Sequence, residues 1–209
     1  MPVVTMIAGP NGSGKSTLIN LLIERGVTLG AYANADDIAK NLVGKPQETA
    51  ARAQQMVRNA RAEALALGRD HSFETVMSHS SHIDHLIAAR KQGFTTRLFF
   101  VATDDPRINL ARVQNRVIHG GHNVPADRVV ARYHRCLANL PAAVAASDEG
   151  IVFDNSNAEN PFRNLAHIES GILHPLQLRS DGIVDLRANL ETLPEWWLRF
   201  LASQQIHIG

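Results

Sequence analysis

The sequence predicts an α/β fold, a three-layer sandwich built on a mainly parallel central sheet. Three observations predict it. Short apolar runs alternate with longer amphipathic stretches along most of the 209 residues, the order expected of strands joined by helical crossovers. The first apolar run is continuous, as in a strand buried on both faces. It ends in a glycine-rich stretch that leads directly into a helical pattern.

Residues 3–8 read Val-Val-Thr-Met-Ile-Ala and form the first strand, which stops at Gly9. The first helix covers 16–25, with Leu18, Leu21 and Leu22 on one face and Gly26 as its stop. A brief second strand at 31–33 is followed by Asp36 and Asp37, which open another helix. An Ala-rich helix spans 48–67 and ends at Gly68. A third strand over 72–76 precedes a helix over 81–92, broken by Gly93. The clearest strand is 96–102. Two helices follow it, 106–118 and 125–147, separated by Gly120-Gly121. A late strand at 151–153 and an extra edge strand at 165–168 complete the sheet, and a last helix begins near Pro194. Residues 1–156 are expected to form the core, with 107–135 as a lid and 157–209 as an extension packed on the same domain.

Composition narrows the classes. Lys and Arg total 21 against 20 Asp and Glu, and 44% of residues are apolar, as in an ordinary globular protein. The near-neutral charge argues against a nucleic-acid coat. Cys136 is the single cysteine, which excludes a disulfide scaffold. No run approaches the roughly 20 apolar residues of a membrane span, and the start lacks a basic signal region. A cytoplasmic enzyme with no membrane partner is the expectation.

Gly9-Pro10-Asn11-Gly12-Ser13-Gly14-Lys15-Ser16 matches G-x-x-x-x-G-K-[ST] in full, between a strand and a helix and followed by Thr17. The glycines let successive backbone N–H groups converge on phosphate oxygens at a helix N-terminus. Lys15 is placed to reach the outer phosphates of a nucleotide, and the Ser16 hydroxyl to ligate Mg²⁺. The N-K-x-D motif of switch GTPases, the L-S-G-G-Q signature of transporter ATPases and the apolar run ending in Asp-Glu of motor ATPases are missing from the sequence. A kinase remains.

Such an enzyme needs an acid to take the acceptor's proton. Asp36 follows the second strand, whose C-terminal end faces the same crevice as the loop, and is the candidate base; helix capping is its competing use. Glu74 lies at the end of the third strand as a metal- or substrate-facing acid, or as an exposed carboxylate. Between residues 107 and 135 six arginines meet one acid, Asp127. Arg112 and Arg116 share a helix face, as do Arg128 and Arg132. Two such helices hinged at Gly120-Gly121 suit an arginine lid closing on polyphosphate; solvated helix surface is the plainer reading.

The set formed by residues 9–17, Asn34-Ala35-Asp36, Phe73-Glu74-Thr75, Arg112 and Arg116 with Gly120-Gly121-His122-Asn123-Val124-Pro125, Arg132-Tyr133 and Asp154-Asn155-Ser156 resembles the small zeta-toxin-like P-loop kinases, in order, over residues 1–156. The resemblance implies a P-loop kinase-like sandwich with a helical arginine lid, and ATP-dependent phosphorylation of the 3′-hydroxyl of the N-acetylglucosamine unit of UDP-N-acetylglucosamine. It implies Lys15 and Ser16 for ATP and Mg²⁺, Asp36 as base, Glu74 and Thr75 at the sugar nucleotide, and Arg116 on the transferring phosphate. It also implies an antitoxin as a possible partner. In one departure, His122 stands where larger toxins carry a second lid arginine, leaving Arg128 or Arg132 to supply that charge.

His79, His82 and His85 are spaced by three, but with no cysteine nearby and chemistry that needs only Mg²⁺, zinc is not expected. His79 and His82 are instead candidates for the acceptor pocket, or for an exposed helix start. Trp196, Trp197 and Phe200 are expected to dock the last helix, with a one-sided aromatic patch for a partner such as an antitoxin as the alternative. The rival functions are a kinase for a nucleoside, another metabolite or a nucleic-acid 5′-hydroxyl, and a nucleotide-dependent binding switch with slow ATP hydrolysis.

Overall fold

The computed structural model describes residues 1–120, 124–175 and 193–204, without the side chains of Asp36 and Pro46. Its strands are β1 (Val3–Ala8), β2 (Ala31–Tyr32), β3 (His71–Thr75), β4 (Thr95–Ala102), β5 (Glu149–Asp154), β6 (Arg163–Glu169) and β7 (Ile172–Pro175). Its helices are α1 (Lys15–Glu24), α2 (Ala35–Lys40), α3 (Pro46–Ala66), α4 (Ser81–Lys91), α5 (Pro106–Ile118), α6 (Ala126–Ala145) and α7 (Glu195–Ser203). The strands form one sheet in the order β2-β3-β1-β4-β5-β6-β7. The first five in that order run parallel, and β6 and β7 are antiparallel.

The continuous apolar run of β1 follows from its place between β3 and β4. Val4, Met6 and Ala8 enter a large core with α4, α6 and α7 on one face. Ile7 enters a smaller core with α1 on the other. Helix α6 contributes Val129, Tyr133, Cys136, Leu140, Ala143 and Val144 as one buried stripe, at the three- and four-residue spacing of an amphipathic helix. Trp196, Trp197 and Phe200 of α7 are buried in the large core, so these aromatics dock the last helix. Among the described residues no helix is long and apolar enough to cross a membrane.

One expectation requires correction. The strand at 165–168 is longer and is not the edge: β7 lies outside β6, joined to it by Ser170 and Gly171. Both turn residues have positive φ, 51° and 79°, the left-handed pair that a tight hairpin demands. The Ser-Gly pair was the available signal.

Histidines fill the junction of β3, α3 and α4. His71 Nε2 lies 2.9 Å from His85 Nε2, and His71 Nδ1 is 3.0 Å from the Arg69 carbonyl. With Nδ1 donating to that carbonyl, His71 Nε2 accepts and the neutral His85 ring donates. His82 packs on Phe73 at 5.7 Å between centroids, and the Arg61 guanidinium lies 4.5 Å from the same ring. Burial, with Arg61 and neighbouring histidines, pushes both His82 and His85 down to about 4. The unfolded chain takes up these protons near the ordinary 6.5, whereas the fold resists them until about 4. Stability is therefore complete above that upper value and drains as pH falls through the window. The expected loss is on the order of 1–2 kcal/mol, allowing for rings that are partly solvated. Urea unfolding at stepped pH checks it; His85→Gln flattens the slope, and identical slopes contradict the assignment.

Candidate active site

The phosphate loop sits where β1 ends, flanked by the ends of β3 and β4 on either side, the switch point at which open α/β sheets bind ligands. Gly9 has φ 156°, and a Cβ there would stand 2.0 Å from the Val101 carbonyl oxygen of β4. Gly14 has φ 101°, and its Cβ would meet the Asn155 carboxamide at 2.5 Å. The motif's two flanking glycines are thus fixed by contact as well as by backbone conformation.

The loop's carbonyls are held from behind. Lys15 Nζ donates to the Gly9 and Pro10 carbonyls at 2.9 and 3.0 Å. Asn109 Nδ2 donates to the Asn11 carbonyl at 2.7 Å, and Asn155 Nδ2 to that of Ser13 at 2.8 Å. The first N–H groups of α1 have no intrahelical acceptor and are the natural ligands for an anion. Ser13 Oγ and Arg112 Nη1 are also buried polar atoms without a partner, an arrangement that a bound polyphosphate would satisfy.

Glu74 is the acidic centre of the site. Its Oε1 is 3.8 Å from Lys15 Nζ, and its Oε2 accepts from Ser16 Oγ at 3.3 Å. Burial pushes the Lys15 ammonium below the usual lysine range; Glu74 is the main opposing influence, and Arg116 adds to the lowering. Tyr32 also belongs here. Its hydroxyl accepts from Asn34 Nδ2 at 3.2 Å and is pushed up to about 12, first by burial and then by the Glu74 charge. The Ser16 hydroxyl and the Glu74 carboxylate, 3.3 Å apart, are hard oxygen ligands of the type Mg²⁺ takes.

Other expected residues are placed as follows. The Thr75 hydroxyl accepts from Met77 N–H at 2.9 Å, bracing a buried residue whose φ is 53°. Asp36 is the second residue of α2, just past the end of β2, and its side chain lies outside the described ones. Arg112 and Arg116 are on α5 and Arg128 and Arg132 on α6. Among the described residues no hydrogen bond joins Arg128, Arg132 or His79 to the loop, and His79 is exposed. His82 turns onto Phe73. His122 and the Gly121 half of the expected hinge lie outside the described residues. Sequence reasoning missed the parts played by Tyr32, Asn109 and Asn155. Asn155 was visible as a polar residue straight after a strand; nothing marked Asn109 within its helix.

Parallel order about β1, the glycine-lined loop and the Lys15–Ser16–Glu74 group define a kinase-like P-loop protein. The zeta toxin family model matches residues 1–164, and the chain belongs to that family. An uncharacterized protein of Haemophilus influenzae (strain Rd) is 30% identical over 134 residues, covering 60% of this chain and 88% of that one. Among solved structures, the AvrRxo1-ORF1:ORF2 complex with ATP is similar at a TM-score of 0.62 and 16% identity, over 84% of this chain. This chain spans only 60% of that one. The PezAT chromosomal toxin-antitoxin system of Streptococcus pneumoniae gives a TM-score of 0.57 at 14% identity, over 74% of this chain and 68% of that one.

Gly9→Ala should force β4 and the loop apart, because the Val101 carbonyl cannot yield without breaking strand pairing. A cost of about 3 kcal/mol or more is expected, with loss of nucleotide binding. Thermal unfolding and fluorescent-nucleotide titration check it, and a variant with wild-type stability contradicts the packing described.

Proposed function

We propose that the protein is an ATP-dependent phosphotransferase with an alcohol acceptor, a sugar hydroxyl of UDP-N-acetylglucosamine. The observation carrying this reading is the loop itself, with its carbonyls tied back and Lys15, Ser16 and Glu74 gathered at its mouth. Family membership and the likeness to a fold crystallised with ATP support the nucleotide. The acceptor rests on the family resemblance.

In this reading Gly9, Pro10, Asn11, Gly12, Ser13, Gly14 and Thr17 shape the nucleotide site. Lys15 leaves the Gly9 and Pro10 carbonyls to engage the phosphates, and the Ser16 hydroxyl leaves Glu74 for the metal. The Ser16 hydroxyl and the Glu74 carboxylate would hold Mg²⁺, which would supply positive charge to offset that of the phosphates. Arg116 faces the transferring group, with Arg112 beside it. Asp36 takes the acceptor proton from the end of β2, and Glu74 and Thr75 border the acceptor, with His79, His122, Arg128 and Arg132 around it. Residues 1–156 carry this chemistry, with 157–209 as a supporting extension. A neutralising antitoxin belongs to the same reading, supported by the likeness to PezAT.

Mass spectrometry and ³¹P NMR of a mixture with ATP, Mg²⁺ and UDP-N-acetylglucosamine test it. A sugar nucleotide one phosphate heavier is expected. Asp36→Asn should lower its formation by about 10²- to 10⁴-fold, the usual contribution of a general base, with ATP affinity within a few-fold of wild type. Turnover of ATP without that product moves the acceptor to another hydroxyl. ATP binding with no turnover supports a binding switch instead.

A further inference from the structure

Helix α5 is fastened to the phosphate loop at one buried side chain. Asn109 is fully buried. Its Nδ2 donates to the Asn11 carbonyl at 2.7 Å, and its Oδ1 accepts from the Thr103 hydroxyl. The Thr103 carbonyl in turn accepts from the Tyr133 hydroxyl of α6 at 2.7 Å, and Thr103 and Tyr133 are buried as well. A continuous series of buried hydrogen bonds therefore runs from α6, through the end of β4 and the first half of α5, to the phosphate loop. The backbone approaches just as closely, since a Cβ on Gly12 would stand 2.5 Å from the Asn109 carbonyl oxygen.

Asn109, Arg112 and Arg116 are spaced three and seven apart and lie along one side of α5. Arg112 Nη1 is buried without a partner, and the charge of Arg116 is felt at Lys15. The register of α5 against the loop consequently decides where both guanidinium groups stand. Only a carboxamide suits the junction, because one end must accept from Thr103 while the other donates to Asn11. A carboxylate cannot donate, and an apolar side chain would strand both buried partners.

We propose that Asn109 is a positioning residue that sets Arg112 and Arg116 over the transferring phosphate, acting through the arginines and not by touching the nucleotide. The proposal rests on the phosphotransfer reading above, so its test is independent of the acceptor. Binding of Mg²⁺-ADP to the full chain is measured by calorimetry with and without aluminium fluoride, a mimic of the transferring phosphoryl group.

Wild type should gain affinity with the fluoride. Thr103→Val, which leaves the Asn109 bond to the Asn11 carbonyl in place, should lose about tenfold of that gain while holding ADP affinity within about threefold. Asn109→Ser, which also frees that loop carbonyl, should lose at least as much of the gain and some ADP affinity with it. Thr103→Val keeps the side-chain volume and tests the same junction if Asn109→Ser folds poorly, which thermal unfolding reveals. Combining either substitution with Arg116→Ala should cost less than the sum of the two separate losses, because part of each loss is the same arginine's, a non-additivity that general destabilisation does not produce. A full fluoride gain in folded Asn109→Ser and Thr103→Val overturns the proposal, and so do losses that simply add to that of Arg116→Ala. No gain in wild type overturns the phosphotransfer reading, and the proposal falls with it.

Discussion

The turning-back of the phosphate loop's carbonyls is the constraint on which the site depends. A tight turn of eight residues at a strand end presents as many acceptors as donors, and an anion is repelled by the former. Lys15, Asn109 and Asn155 occupy the carbonyls of Gly9, Pro10, Asn11 and Ser13. With those acceptors engaged, the concavity keeps the electropositive character of a helix N-terminus. The three donors come from the loop's own helix, from α5 and from the segment after β5, so the loop conformation depends on β4 lying beside β1 and β5 beside β4.

Glu74 supplies the second constraint. A buried ammonium without a counter-charge is costly, and Glu74, placed by the pairing of Ile7 with Glu74 in the β1–β3 ladder, meets Lys15 and Ser16 together. The same carboxylate acts on Tyr32 from the neighbouring strand. A substrate entering this site exchanges one set of charge-assisted bonds for another, which is less costly than desolvating free groups. The histidine junction beneath β3 and α4 is a separate device that packs polar rings in neutral form against Phe73.

Much of this was legible in the sequence because it is local. The loop announces itself by spacing, and β1 and β4 by runs that are apolar but for Thr5 in the one and the Thr95-Thr96-Arg97 start of the other; helix stops follow the glycines. What stayed hidden depends on long-range partners. Asn109 lies 98 residues from the carbonyl it holds, and an asparagine inside a helix has no pattern that points so far. Tyr32 acquires its role only because β2 pairs with β3. The β6–β7 hairpin was missed because its outer strand is short, with one exposed Ile172 at its start. His82, which the sequence offers to the acceptor pocket or to an exposed helix start, finds a drier place on Phe73, with Arg61 against the same ring.

The most direct measurement is the backbone amide spectrum of ¹⁵N-labelled protein during titration with Mg²⁺-ATP. The loop as described predicts the largest downfield shifts at Gly12, Gly14, Lys15 and Ser16, whose N–H groups take the phosphate oxygens while the Asn11 and Ser13 carbonyls stay tied to Asn109 and Asn155. Saturating nucleotide that leaves these four amides unmoved, or moves mainly residues at the opposite end of the sheet, would contradict the account.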